Sequence, residues 1–183
     1  MRGGDAVEFI LLREEHLETI LRWRTSEQVT RYMYTDIPYD MEQQRQWYES
    51  VKNDLKNRYW VIRHKEQLIG LISLNQIDMQ HRHATVGFYI GDSAFHIIGG
   101  WIHPYFYNYV FKELGLHKVY AEVMDGNENI CKMHRMYGLR NIGMYKEHIF
   151  KYGKYHDVHI FELLAETWEQ QQRFAKYVAV VEE

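Results

Sequence analysis

The chain has 183 residues, 46% of them hydrophobic and 26% charged, with a formal net charge of −3. That length buries a sizeable core without staples, the composition excludes a disordered chain, and the lack of a basic excess argues against a nucleic-acid partner. The single cysteine, Cys131, excludes an intrachain disulfide framework and fits a reducing cytosol. The N-terminal MRGGDAVEF carries no apolar run of signal-peptide length. No segment reaches the roughly 20 apolar residues of a membrane span. A cytoplasmic protein with no membrane partner is expected. With two prolines, Pro38 and Pro104, and no repeat or Pro/Gly/Ser linker, one domain over residues 1–183 is expected.

The elements follow in chain order. A strand is predicted over Glu8–Arg13, then a helix over Glu15–Glu27 with Leu17, Ile20 and Leu21 at helical spacing. A loop with Asp36, Pro38 and Asp40 leads to a second helix, Met41–Lys56. Tyr59–His64 reads as a strand from its aromatic and β-branched content. Lys65-Glu66 turns it into a strand over Gln67–Ile77, and a further strand, His83–Ile90, ends at Gly91-Asp92. Gly100–Leu114 is predicted helical, with Ile102, Phe106, Val110 and Leu114 on one face and Gly115 as its C-terminal cap. Lys118–Met124 is a strand. Asn127–Tyr137 is a helix capped by Asn127, with Gly138 beyond its end. Arg140–Lys151 and Tyr155–Leu164 form a hairpin around Tyr152-Gly153-Lys154. A polar helix, Glu166–Ala175, closes the series. This order describes a mixed α/β sheet rather than an alternating dinucleotide-binding pattern.

Three places hold candidate chemistry. The run GDSAFHIIGGW, Gly91–Trp101, lies between a strand and a helix, where backbone N–H groups can hold an anion such as a pyrophosphate; it reads equally as a plain connection. In Lys118–Met124, alternation groups Lys118, Tyr120, Glu122 and Met124 on one face, so Glu122 interrupts an apolar run, and a carboxylate there is either paired or functional. In the following helix Ile130, Met133, His134 and Tyr137 form the inward face, which aims His134 at the interior. A satisfied core histidine is the alternative to a functional one. His81 with His83, and His148, His156 and His159 on the last hairpin, have no zinc-ligand spacing, so no metal is expected.

The runs VGFYIGDSAF, ELGLHKVYAEVMDGNEN and MYGLRNIG together resemble the acetyl-CoA-binding core of the GNAT N-acetyltransferases. LREEHLETILRWRTSEQVTRYM and KEHIFKYGKYHDVHIFEL also fit that family, so the resemblance covers nearly the whole chain. It implies the GNAT fold, an α/β (α+β) arrangement with a mixed central sheet splayed at the acetyl-CoA site and flanked by helices. It also implies acetyl-CoA as co-substrate and a small-molecule amine as acceptor. Two subgroups look closest. WRTSEQVTRYMYTD favours the nucleotide-sugar 4-amino-acetyltransferases of pseudaminic acid synthesis; the RimJ/RimL and spermidine acetyltransferases are the alternative. A non-catalytic binding module on the same scaffold is a further alternative, and a homodimer is left open.

The resemblance assigns roles residue by residue. The backbone of Val86, Gly87, Phe88, Tyr89 and Ile90 would bond the pantetheine arm like an added strand and hold the oxyanion. Ile98, Gly99 and Gly100 would hold the pyrophosphate, and Asn127 the pantetheine. Glu122 would be the base, through water relayed by Ser73, and His134 the acid for the departing thiolate. Arg22, Arg24, Arg31 and Tyr34 would hold an anionic nucleotide-sugar acceptor; Asp36, Asp40 and Glu42 would serve a polyamine. Two departures stand out. His96-Ile97-Ile98-Gly99-Gly100-Trp101 occupies the family's Arg/Gln-x-x-Gly-x-Gly/Ala loop, and His134 stands where the family commonly has Tyr, with Tyr137 one turn away as a substitute.

Overall fold

The structure, a computed structural model, describes residues 7–183. The expectation that the N-terminal MRGGDAVEF holds no signal peptide falls largely on residues 1–6, which lie outside the described residues. The strands are β1 (Val7–Leu11), β2 (Arg58–His64), β3 (Gln67–Asp78), β4 (His83–Ile90), β5 (Lys118–Met124), β6 (Arg140–Lys151), β7 (Lys154–Leu164) and β8 (Val180–Val181). They form one mixed sheet in the order β6-β7-β5-β4-β3-β2-β1-β8, as the mixed α/β expectation requires.

Helices cover both faces because successive strand residues point to opposite sides. Val61 of β2 and Leu71 of β3 meet Leu17, Ile20 and Trp23 of α1 (Leu17–Thr25), with Trp47 of α3 (Met41–Val51) packed alongside. Trp60 and Ile62, on the other side of β2, join Ile102 and Phe106 of α5 (Ile102–Asn108). Cys131 of α6 (Glu128–Met136) and Trp168 of α7 (Ala165–Glu169) extend the same core. No described helix is long and apolar enough to cross a membrane.

Several boundaries differ from the sequence expectation. The first helix does not run to Glu27: it breaks at Ser26, whose hydroxyl donates to the Trp23 carbonyl at 2.6 Å, and restarts as α2 (Glu27–Thr30). The helix expected over Gly100–Leu114 divides into α5 and a wider π-helical turn at Tyr109–Glu113. The closing helix shortens to α7 followed by a 3-10 turn, Gln172–Phe174. β8, which no local pattern announces, pairs parallel to β1.

The arrangement of β4 and β5 positions the site. These parallel neighbours pair only at His83–Lys118, Ala84–Val119 and Thr85–Tyr120. β4 nevertheless stays paired with β3 as far as Ile90, and β5 with β7 as far as Met124. Each strand is therefore held on its outer side while the two part from each other. The result is a built splay, not a frayed end.

Candidate active site

Past Thr85 the splay opens a narrow cleft of about 80 Å³ lined by Val86, Phe88, His103, Ala121, Glu122, Val123, Asn127, Ile130 and His134. Backbone N–H and C=O groups without a strand partner are strong hydrogen-bonding groups that need one. The β4 edge from Val86 to Ile90 has no partner in β5, which fits a ligand that adds itself as a strand. Asn127 sits at the N-cap position of α6, yet its side chain makes no capping bond. That corrects the capping expectation and leaves the amide facing the cleft.

Glu122 lies on the face of β5 opposite the α5–α6 core and is exposed. The Tyr34 hydroxyl donates to its Oε2 at 2.6 Å, and burial together with this bond pushes the Tyr34 phenol well above its ordinary range. Ser73 pairs in register with Gly87. Ser73 and Gly87 thus form a row across β3 and β4 at the mouth of the splay, and Glu122 stands two residues beyond Tyr120, the last residue of β5 paired with β4. A Cβ at position 87 would come within 2.6 Å of Ser73 Oγ, so only glycine leaves this row open. Ser73 itself is buried and accepts from Asn75 Nδ2 at 2.8 Å.

His134 enters the cleft from below. It is 4% exposed, its Nδ1 is buried without a partner, and burial pulls its pKa down to about 4. Burial thus favours the neutral imidazole, whose ring N–H can still donate toward a departing thiolate. A second buried imidazole, His103, is 1% exposed, with its ring centroid 5.9 Å away and its own Nδ1 unpartnered. Burial, reinforced by His134, holds His103 well below its ordinary pKa. The sequence reading passed over His103, which shares its helix turn with Pro104 and has no motif to mark it. The buried stripe of α6 runs Cys131, His134, Tyr137, with Ile130 and Met133 only half-buried. Tyr137, the alternative acid, is buried and its hydroxyl donates to the Gly100 carbonyl instead of lining the cleft, while burial pushes its pKa up to about 12.

That bond fixes the end of the Gly91–Trp101 segment, which folds as a 3-10 turn (Ser93–Phe95) and the short α4 (His96–Gly99). Ile97 projects outward at 88% exposure, while Ile98 packs on the core. Gly99 is buried so closely on β4 that a Cβ would stand 2.5 Å from Ile90 Cγ1. Trp101 turns away from the loop and stacks on Tyr177, centroids 6.1 Å apart.

On the Glu122 side a cavity of about 440 Å³ adjoins the splay, with Arg24, Asp40, Trp47, Tyr59, Ser73 and Tyr89 among its walls. The expected arginine cluster does not converge on it. Arg22 and Arg31 are exposed, and Arg31 lies over the Tyr32 ring at 4.7 Å. Arg24 donates to the Thr35 carbonyl at 2.7 Å and to the Thr30 and Thr35 hydroxyls at 3.2 Å each. It therefore holds the chain rather than awaiting a phosphate. Asp40 caps α3, accepting from the Glu42 and Gln43 amides at 2.9 and 3.1 Å. Asp36 pairs with Lys151, a residue the sequence reading did not single out. The His81 and His83 rings stack, centroids 6.3 Å apart. Among the described residues no group of three or more His, Cys, Asp or Glu side chains is arranged to hold a metal.

A mixed sheet splayed between two parallel strands, with a carboxylate on one face of the gap and backbone amides along its edge, defines an acyl-CoA-dependent acyltransferase. The particular family is shown by comparison: the acetyltransferase (GNAT) domain model matches residues 7–140, and the chain belongs to that family. It is an N-acetyltransferase that uses acetyl-CoA. Among similar solved structures is the spermidine N-acetyltransferase from Vibrio cholerae in complex with CoA and spermine. Its TM-score is 0.83 at 22% identity, over 90% of this chain and 98% of that one. The spermidine/spermine N-acetyltransferase of the same organism, in complex with manganese ions, gives a TM-score of 0.75 at 22% identity, over 91% and 97% of the two chains. At this identity the likeness establishes the fold.

Proposed function

We propose that the acceptor is a primary amine of a small molecule, and that it is an aliphatic polyamine-type cation rather than a nucleotide sugar. The observation that carries this is Glu122, an exposed carboxylate on the open face of the splay, next to a cavity walled by Trp47, Tyr59, Tyr89 and Asp40. Aromatic faces and a carboxylate attract ammonium groups. Beside the WRTSEQVTRYMYTD resemblance, the nucleotide-sugar reading rests on converging arginines, and these are exposed or engaged in the fold. The likeness to spermidine acetyltransferases supports the same choice.

An aliphatic amine reaches the site protonated; taking its pKa near 10.4, deprotonation at pH 7 costs about 5 kcal/mol. Glu122 accepts that proton, directly or by way of the Ser73 hydroxyl and water. The amine nitrogen then bonds the acetyl carbon. The β4 amides from Val86 to Tyr89 hold the oxyanion. As the carbon–sulfur bond breaks, His134 donates a hydrogen bond from a neutral ring N–H to the departing CoA thiolate, and the excess proton on the acylated nitrogen passes through water to that sulfur, leaving the amide and the CoA thiol. Asn127 and the β4 edge hold the pantetheine arm, and the amides of Ile98, Gly99 and Gly100 face the pyrophosphate.

Thiol release from acetyl-CoA, measured with spermidine, spermine, a UDP-amino sugar and an N-terminal peptide as acceptors, tests the choice. Turnover with spermidine or spermine is expected. Turnover confined to the UDP-amino sugar or the peptide rejects it.

A further inference from the structure

The stretch from Thr30 to Asp36 carries Tyr34 over Glu122, yet it has little secondary structure of its own. It is held from two sides by cations. Arg24 grips Thr30 and Thr35 from α1. Lys151, at the end of the edge strand β6, grips it as well. The Lys151 side chain is only 4% exposed. Its Nζ donates to the Thr30 carbonyl at 2.6 Å and the Met33 carbonyl at 2.8 Å, and it pairs with Asp36 Oδ1 at 2.8 Å. An ammonium has three N–H donors, and all three are matched. Asp36 Oδ1 also accepts from the Thr30 hydroxyl at 2.8 Å, and these bonds hold the Asp36 carboxyl below its ordinary pKa. The backbone of Lys151 is anchored too: its carbonyl lies 3.2 Å from His156 Nε2, and His156 Nδ1 meets Asp125 Oδ1 at 2.6 Å. Asp125 begins the turn into α6, which carries His134.

Burying an ammonium is costly unless it is fully paired. A surface loop of seven residues gains nothing obvious from being pinned at that cost unless its position matters. We propose that Lys151 is a positioning residue for acetyl transfer: it fixes the Thr30–Asp36 segment so that the Tyr34 hydroxyl reaches Glu122. Through His156 and Asp125 it also ties the acceptor side of the splay to the cleft side. The proposal rests on Glu122 acting as the base.

Two measurements on the full chain test it. Amide hydrogen exchange with acetyl-CoA present compares wild type with Lys151→Met, Lys151→Arg and the milder Asp36→Asn. Exchange over residues 31–36 should quicken in Lys151→Met and Asp36→Asn and change least in Lys151→Arg. Unchanged exchange there overturns the proposal whatever the acceptor. Thiol release with spermidine then gives kcat and KM for Lys151→Met, Tyr34→Phe and the double variant. Each single change should lower kcat/KM about tenfold with the acetyl-CoA KM unchanged, and the double variant should match Tyr34→Phe alone. Independent, multiplying losses mean that Lys151 does not act through Tyr34, and they reject the proposal. Full activity in Glu122→Gln removes the underlying reading of the base instead, so the two failures are distinguishable. If Lys151→Met does not fold, Asp36→Asn, which removes one exposed partner, carries both tests.

Discussion

Replacing His134 with Asn should make the protein markedly less sensitive to mild acid. His134 is held neutral in the fold with a pKa near 4, against 6.5 for a free histidine. Between those values the unfolded chain binds a proton that the folded chain does not, so stability is complete above about pH 6.5 and falls as pH drops toward 4. With those two values, His134 alone removes about 1 kcal/mol between pH 7 and pH 5.5, and about 3 kcal/mol once both states are fully titrated. His103 adds a loss in the same direction, because its pKa is also depressed by burial. Urea unfolding at pH 7.0, 6.5, 6.0 and 5.5 reads the effect as the change of unfolding free energy with pH. Asn cannot titrate, so the variant's acid-induced loss should be smaller than wild type's by about 1 kcal/mol, whatever its absolute stability at pH 7. Parallel curves for the two proteins would refute the claim that His134 is a buried neutral imidazole. They would also reopen the case for an imidazolium acid.

The other predictions concern the site directly. Glu122→Gln should lower kcat by about 10²–10⁴, the range for a lost general base, while the thermal shift given by acetyl-CoA stays as in wild type. An equal loss of acetyl-CoA binding would mean that Glu122 serves the cofactor side. Gly99→Ala drives a Cβ to 2.5 Å from Ile90 Cγ1; overpacking of this kind costs about 1–3 kcal/mol, and it should weaken acetyl-CoA binding in a titration as well as lower the midpoint of thermal unfolding. Trp101→Ala should cost about 0.5–1.5 kcal/mol through the lost stacking on Tyr177. Isothermal titration should find its acetyl-CoA affinity nearly unaltered, and a large fall would place the indole in the loop's binding surface.

Strand positions were legible because each strand states its own period. His83–Ile90, Lys118–Met124 and Arg140–Lys151 end where the structure ends them. The face of Glu122 followed from the same alternation. What could not be read depends on partners remote in sequence. Ser26 looks like an ordinary helical residue; its extended backbone redirects the chain into the segment that carries Tyr34. Lys151 binds carbonyls 121 and 118 residues away, and no window of sequence contains both ends of such a contact. Asn127 illustrates the opposite case. Local rules assign its side chain to the helix end, and the structure leaves it without that bond, as expected where a site overrides a local preference.

The arginines expose a general weakness in reading charge from sequence. Arg22, Arg24 and Arg31 were grouped because they are close along the chain, and a cluster of guanidinium groups suggests phosphate. Proximity in sequence says nothing about whether a charge is already engaged. Arg24 and Lys151 meet the carbonyls, hydroxyls and carboxylate of one loop, so the positive charge on this side of the sheet is largely used within the protein itself. Asp36 is engaged with Lys151, and Asp40 with the start of α3. Glu122 differs because its partner is a neutral phenol. A hydroxyl donor orients a carboxylate without cancelling its charge. Under the proposed function, the Glu122 carboxylate is therefore left without a cationic partner at the splay, open to the ammonium whose proton it would take.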